Sequence, residues 1–530
     1  MSPFEHGECF VLDDGGETDL DLGNYERFLA VMLGSDSNLT TGKIYRKVIE
    51  KERRGEYLGK TVQIIPHITN EIMARIEAVA TLPVDGSQEP PDICMVELGG
   101  TIGDIESMPF VEALRQLQHK AGPRNFCLVH VSMVPTVGPE PGEHKTKPTQ
   151  HSVKELRSLG LAPDFIVCRS KDRVSMPTRE KIALFCNVPA ERVLSLYDVP
   201  NIYRVPIEML DRNLDILISE QLNIRTYRGD DDDMSEKDSP DWTKKNTAMT
   251  SALKLRSDSG FTHKWKDMVQ RMEGAQNEVV IALVGKYMAQ ADSYLSVQSS
   301  LHHACIANDC RLKLVRIDSE LIGSGDEASW AMLRSAHAIL VPGGFGDRGT
   351  AGKVAVIQYA REQKVPFLGI CLGMQLAIIE FARNVLNITG ATSSEFDPTA
   401  VGTAKEAIIF MPEGSKDEMG GTMRLGSRAT TLSEGSLAHR LYGSLTIHER
   451  HRHRYEVNPA LVPKLEAKGL RFSGVDDTGM RAEVVELDDT SPDGHPFFFG
   501  LQAHPEYKSR PLQPSPPFLG LIRAAVEAKV

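Results

Sequence analysis

Pro366-Phe-Leu-Gly-Ile-Cys-Leu-Gly-Met-Gln375 is the stretch from which the fold follows. Phe367 to Ile370 reads as a short buried strand, Cys371 as the apex of a sharp turn between Gly369 and Gly373, and Leu372 to about Ala382 as an apolar helix. Small residues on both sides of a turn let one side chain stand over a helix N-terminus, the geometry that α/β hydrolases use for a serine. Here the raised group is a thiol. An ordinary thiol, with a pKa of about 8.5, is mostly protonated at neutral pH, and helix-start N–H groups favour its thiolate. Most free cysteines are simply small buried hydrophobes, but that reading gives no reason for the flanking glycines. A nucleophile needs a base. Gln502-Ala-His-Pro-Glu506 offers His504 after the strand-like run Pro496 to Leu501, with Glu506 to orient the imidazole.

A second glycine cluster, Val341-Pro-Gly-Gly-Phe-Gly-Asp-Arg-Gly349, follows the apolar strand His337 to Val341 one βα unit earlier. It can aim the Gly344 N–H at the oxyanion formed when Cys371 attacks a carbonyl, with the Leu372 N–H as second donor. Elbow, oxyanion loop and His-Pro-Glu, in that order, resemble the class I (triad) glutamine amidotransferase domain.

The whole chain has 530 residues, enough for about two to four domains. Its formal charge of −12 argues against a broad nucleic-acid-binding surface, so an anionic ligand must be met by local basic clusters. The eight cysteines form no C-x-x-C pair and no metal-like grouping with histidines, as expected of reduced thiols in a cytoplasmic protein. No apolar run approaches the ~18 residues of a membrane span.

The N-terminal half opens on a Gly- and acid-rich run in which Asp13, Asp14, Glu17, Asp19 and Asp21 read mostly as a solvated loop, though Mg²⁺ beside nucleotide phosphates would use one or two such carboxylates. Arg53-Arg-Gly-Glu-Tyr-Leu-Gly-Lys-Thr61 mimics a phosphate loop but has one residue too few between its glycines, and a strand pattern, Val62 to Pro66, follows it. From Asp92 the pattern is α/β: strand Ile93 to Leu98, a glycine turn, a helix opened near Pro109, then strands Phe126 to Val131 and Phe165 to Cys168. Glu97, in the first of these strands, suits either a Mg²⁺-holding acid or a carboxylate capping local amides. Lys145 and Lys147 precede a Pro-started helix and form a candidate anion site. Alternating strands and helices predict a largely parallel sheet with ligands at the strand C-terminal ends. Arg228 to Asp241 is acidic, poor in apolar residues and reads as a linker.

Longer runs then converge. Ser2-Pro-Phe-Glu-His-Gly-Glu8, Thr18 to Phe28, Glu97-Leu-Gly-Gly-Thr-Ile-Gly-Asp-Ile-Glu-Ser-Met-Pro109, Lys145-Thr-Lys-Pro-Thr-Gln150, Glu449-Arg-His-Arg-His-Arg-Tyr-Glu-Val-Asn458 and the elbow together closely resemble CTP synthase over essentially the whole chain. The resemblance implies two α/β domains, a Rossmann-like synthetase domain of the P-loop amidoligase type and a class I glutamine amidotransferase domain. The expected boundaries are 1–228 for the first, 229–277 for the linker and connecting helix, and 278–530 for the second. It implies ATP-dependent amination of UTP with ammonia from glutamine, Mg²⁺ as cofactor, GTP as activator, CTP as inhibitor and a cytoplasmic homotetramer that binds neither nucleic acid nor membrane. By position it makes Asp21 and Glu97 the Mg²⁺ ligands, and places nucleotide at Asp104, Glu106, Lys145, Lys147, Gln150, Lys181 and Arg169. It makes Cys371, His504 and Glu506 the triad, and Gly344, Gln375, Glu395 and Arg454 the glutamine-holding set. In the family a strand, a loop of the form G-G-x-x-S-x-x-G-K-G and a helix precede the position of Ser2, and none of these is in this sequence. The expectation from that difference is glutamine hydrolysis with little CTP synthesis, the alternative being a non-catalytic regulatory or assembly subunit.

Overall fold

A computed structural model describes residues 3–139, 142–224, 260–411 and 423–529. The chain divides into two compact units, one of Met1–Asn38, Val84–Ser87 and Gln270–Val530, the other of Leu39–Pro83 and Gln88–Val269. The acidic run Arg228 to Asp241 lies outside the described residues.

The first unit is built on a mixed sheet that, among the described residues, has nine strands. Cys310–Asp318, Asn277–Gly285, Ala338–Val341, Phe367–Ile370 and Phe498–Leu501 run parallel side by side, as βαβ crossovers require. Ala482–Glu486, Arg471–Asp476, Arg424–Leu432 and Thr446–His453 continue the sheet antiparallel. Alternation within strands sends successive side chains to opposite faces. Ala282, Val284, Ile339, Val341 and Phe367 join one core with the helices Thr350–Glu362 and Leu372–Asn384. Ile281, Leu283, Leu340, Leu368 and Ile370 join a second core with Leu295–Ala307 and Pro516–Ala528. Both faces being covered explains why these strands are continuously apolar.

Of the acidic N-terminal residues, Asp14, Glu17 and Asp21 are exposed as expected and Asp13 and Asp19 half-buried, but several of these acids are tied down by partners. Arg450, fully buried, pairs its guanidinium with both carboxylate oxygens of buried Glu26 at 2.9 and 3.0 Å and reaches Asp13 as well. Glu17 accepts from Arg452 at 2.8 Å, and Asp14 caps the turn at Ser35. A buried cation is tolerated only with such partners, so these charges hold residues 8–26 against the strand Thr446–His453.

The second unit carries a parallel sheet of Val129–Met133, Phe165–Ser170 and Val193–Tyr197, in that order. The helices Lys147–Ser158 and Met176–Cys186 bury Val153, Ile182 and Ala183 against it. A separate helical cluster joins Ile44 and Val48 of Thr41–Arg53 to Ile72 and Ile76 of Thr69–Val79 and Ala113 of Met108–Ala121. Two strand expectations fail here. Ile93 to Leu98 is irregular, with Ile93 49% and Met95 71% exposed, because a strand exists only through a ladder and this run has none among the described residues. Ile64–Ile68 is a helical turn leading into Thr69–Val79, since Ile68 completes the apolar stripe of that helix.

Candidate active site

Three neighbouring parallel strands deliver the thiol, the glycine loop and the imidazole. Cys371 follows Phe367–Ile370, Gly343 follows Ala338–Val341 and His504 follows Phe498–Leu501, all at strand C-terminal ends. Cys371 has φ 51° and ψ −103°, a conformation that L-residues with a Cβ adopt only under constraint. The constraint is visible: its N–H donates to the Leu501 carbonyl at 2.7 Å, and its own carbonyl accepts from Gln375 at 3.1 Å to open the helix. Both flanking glycines are sterically required. A Cβ on Gly369 would lie 2.8 Å from the Gly373 backbone, and one on Gly373 would collide with the Val341 carbonyl oxygen. Gly343 is equally tight, its Cβ position being 2.7 Å from His504 Cε1 and 3.5 Å from Cys371 Cβ. A Cβ on Gly344 would lie 3.4 Å from the side chain of Leu372, which follows Cys371 in the chain.

His504 Nδ1 and Glu506 Oε1 are 2.8 Å apart and both residues are buried. Burial, the largest influence on the ring, pulls its pKa down, but the Glu506 carboxylate and the Cys371 sulfur outweigh it and hold the imidazole up at about 10. The ring therefore rests protonated at neutral pH. Tyr507 stacks on His504 with centroids 5.2 Å apart, and its hydroxyl donates to the Cys9 carbonyl at 3.1 Å.

Of the residues expected to hold glutamine, Gln375 and Glu395 are fixed by hydrogen bonds. Gln375 Nε2 donates to the Tyr455 carbonyl at 3.0 Å and to Gln502 Oε1 at 3.1 Å. Glu395 accepts from the Gly346 N–H at 2.7 Å; burial raises its pKa, while that bond, Lys286 and Arg454 act to lower it. Lys353 is fully buried beneath Gly344, its Nζ 4.0 Å from the Gly344 Cβ position and without a hydrogen-bond partner among the described residues. Burial first, then Lys286 and Arg348, hold it down at about 7. The residues that sequence reasoning passed over are Lys353, Gln502, His451 and His453. The two histidines alternate along an apolar-poor strand, a period-2 signal hidden by the charged residues between them.

In the second unit Lys145, Lys147 and Gln150 sit at the start of Lys147–Ser158, with Lys145 on Glu143 at 2.7 Å, Lys147 over the Phe185 ring and Gln150 on Thr146. Lys181 acts electrostatically on the same Glu143, and Arg169, at the C-terminal end of Phe165–Ser170, faces Asp198 at 3.7 Å. Asp104 and Glu106 are exposed in the turns before Met108–Ala121. Asp21 lies in the first unit at the start of Leu20–Leu29; burial and Asp19 raise its pKa, the repulsion a divalent cation would relieve. Glu97 is in the other unit, on the exposed irregular run, and no group of three or more His, Cys, Asp or Glu assembles among the described residues.

Residues 1–224 match the family model CTP synthase N-terminus, and residues 289–524 match glutamine amidotransferase class-I. The CTP synthase of Dictyostelium discoideum is 51% identical over 99% of this chain and 90% of its own length. CTP synthase 2 of Xenopus laevis is 50% identical over 99% of this chain and 86% of its own length. The solved glutaminase domain of Trypanosoma brucei CTPS with bound acivicin is 38% identical, covering 47% of this chain and 94% of that one at a TM-score of 0.42. No helix among the described residues is long and apolar enough to cross a membrane.

Proposed function

The chain belongs to the CTP synthase family, and on that premise we propose that Cys371, His504 and Glu506 release the ammonia with which UTP becomes CTP. The reaction is that of a glutamine-dependent carbon–nitrogen ligase: UTP, ATP, glutamine and water yield CTP, ADP, phosphate and glutamate. The observation that carries the glutaminase assignment is the strained Cys371 backbone, held at φ 51° between two glycines that no larger residue could replace.

The Cys371 thiolate attacks the side-chain carbonyl carbon of glutamine, and the N–H groups of Gly344 and Leu372 receive the oxyanion. The C–N bond breaks as the imidazolium gives its proton to the departing nitrogen, leaving a thioester and a neutral ring. His504 then takes a proton from water as hydroxide adds to the thioester. Collapse breaks the C–S bond, frees glutamate and restores the thiolate–imidazolium pair. Glu506 keeps the ring oriented throughout. Glu395 and Arg454 suit the ammonium and carboxylate of free glutamine, and Gln375 reaches the Gln502 amide that neighbours the reacting sulfur.

UTP, or the inhibitor CTP, and ATP are assigned to the synthetase half through Asp104, Glu106, Lys145, Lys147, Gln150, Lys181 and Arg169. Support comes from the lysines clustered at a helix start and from the placement of Arg169 at a strand C-terminal end. Mg²⁺ would be held from this chain by Asp21 and Glu97 and would neutralise nucleotide phosphates. The domain boundaries 1–228, 229–277 and 278–530, activation by GTP, a homotetramer and a cytoplasmic location complete the reading.

The decisive experiment is Cys371→Ala. Glutamate release should fall about 10⁴-fold or more, since the nucleophile of a covalent mechanism is gone. Release at near the parent rate would refute the assignment.

A further inference from the structure

Gln502 lies between the elbow and His504 and is 1% exposed. Its Nε2 is 3.5 Å from Cys371 Sγ, within reach of a hydrogen bond to sulfur. Which end of an amide faces a neighbour has to be settled by the network around it, and here the network leaves no choice. The Tyr455 carbonyl can only accept, so the Gln375 end that meets it at 3.0 Å is the NH₂ group. That same NH₂ meets Gln502 at 3.1 Å, so the Gln502 end facing it is the oxygen. The Gln502 NH₂ must then face the sulfur. Reversing Gln502 would set donor against donor at Gln375, and reversing both would set oxygen against oxygen at Tyr455.

The far end of the network is fixed as well. His453 Nδ1 meets the Tyr455 carbonyl at 3.0 Å and therefore carries a proton. Burial, followed by the nearby Arg424 guanidinium, holds this ring down at about 3, so it is neutral and its Nε2 accepts from His451 Nδ1 at 3.1 Å. The proton pattern thus runs in one direction, from His451 through His453 to the carbonyl on which Gln375 rests.

We propose that Gln502 is a catalytic residue that donates its amide N–H to Cys371 and holds the sulfur as a thiolate, with Gln375 and His453 as positioning residues that keep the donor turned inward. The need for such a donor is local: the Arg452 carbonyl oxygen stands 3.8 Å from the same sulfur and can satisfy only the thiol form. The Gln502 donor counters it, and His504 supplies the opposite charge. The same N–H eases the step in which the C–S bond breaks and the electron pair returns to sulfur. This inference rests on the assignment of Cys371 as nucleophile.

The test compares Gln502→Leu and Gln502→Glu with the parent in the full chain, following loss of glutaminase activity under iodoacetamide across pH, a readout that depends on the active-site thiol alone. The midpoint of inactivation should move up by about one pH unit in Gln502→Leu, with inactivation at neutral pH slowed about tenfold. Gln502→Glu, identical in shape but offering the sulfur an oxygen, should move it further. The kcat for glutamine should fall about tenfold or more with KM changed less than about twofold. A purely structural Gln502 would lower stability and leave the midpoint in place. Should Gln502→Leu fail to fold, the isosteric Glu variant decides. A parental midpoint in either folded variant overturns the proposal, whereas Cys371→Ala retaining glutaminase activity would instead overturn the nucleophile itself.

Discussion

Replacing Glu506 by Gln keeps the shape of the triad and removes one charge. In the parent, burial alone would carry the His504 ring below its ordinary value of 6.5; Glu506, 2.8 Å away, and the Cys371 sulfur instead lift it to about 10. Each unit is worth about 1.4 kcal/mol, so the lift represents on the order of 5 kcal/mol shared between the two partners. A ring of pKa about 10 is about 99% protonated at pH 8, one of about 6.5 only about 3%. Glu506→Gln should therefore bring the alkaline limb of the glutamine-hydrolysis profile down from about 10 to about 7 or lower. Turnover at pH 8 should fall roughly 30-fold, since the proton that ammonia needs is no longer on the ring. Stability must follow the same sign. A ring whose pKa is raised on folding binds protons more tightly in the native state, so its contribution is fully present below about 6.5 and is lost as pH climbs through about 10. The Tm difference between parent and variant should be largest at pH 6 and shrink toward pH 10. An unmoved alkaline limb, or a Tm difference constant across that range, would refute the reasoning.

Three other substitutions probe separate parts of the unit. Gly373→Ala sets a methyl against the Val341 carbonyl oxygen, so thermal unfolding should report a loss of at least about 1–3 kcal/mol together with lost glutamine hydrolysis. Glu26→Gln strips the charge from a fully buried carboxylate that serves both Arg450 and Arg510, and denaturant titration should show destabilisation of about 3–5 kcal/mol. Lys353→Met removes a buried amine whose pKa, lowered to about 7 by burial, favours the neutral form. The native state gains stability as pH rises from about 7 to about 10.5, so the variant should be more stable than the parent, most at pH 6 and least near pH 10, by Tm measured across that range.

The elbow was readable from sequence because its causes are local: an apolar tetrad, a thiol and two glycines within seven residues define both the strand and the strain. The inner parallel strands of the first unit were readable for the same reason, being buried on both faces and so continuously apolar, unlike the edge strand Cys310–Asp318. Thr446–His453 was not readable as a strand. Its sequence, Thr-Ile-His-Glu-Arg-His-Arg-His, lacks the apolar alternation by which strands are recognised, because all but one of its buried side chains are polar or charged, and Arg450 and Arg452 find their partners more than 400 residues away. Ile93 to Leu98 is the converse case, an apolar run with strand composition and no ladder among the described residues. The arginine partners of Asp13 and Glu17 were hidden on the same ground, since local composition cannot reveal a distant guanidinium. The orientation of the Gln502 amide depends on two carbonyls and an imidazole brought together only by folding.

That unreadable strand explains why the N-terminal residues belong to the same compact unit as the glutaminase machinery. Its side chains alternate between two environments, as period-2 geometry demands. Arg450 and Arg452 face the acids of residues 13–26, while His451 and His453 face the network behind Gln375. The backbone between them holds both reactive groups: the Arg450 carbonyl accepts from the His504 N–H at 2.8 Å, and the Arg452 carbonyl lies 3.8 Å from the Cys371 sulfur. Two buried or half-buried guanidiniums without their carboxylates would cost several kcal/mol, so the strand cannot keep its place if residues 13–26 leave. A displacement of one strand would shift the imidazole and the environment of the thiol together. A mismatch of about 1 Å between reacting groups can cost about 10²-fold in rate, so loss of the acids near the N-terminus should lower glutamine hydrolysis, and an assay of Glu26→Gln showing the parent rate would refute that coupling.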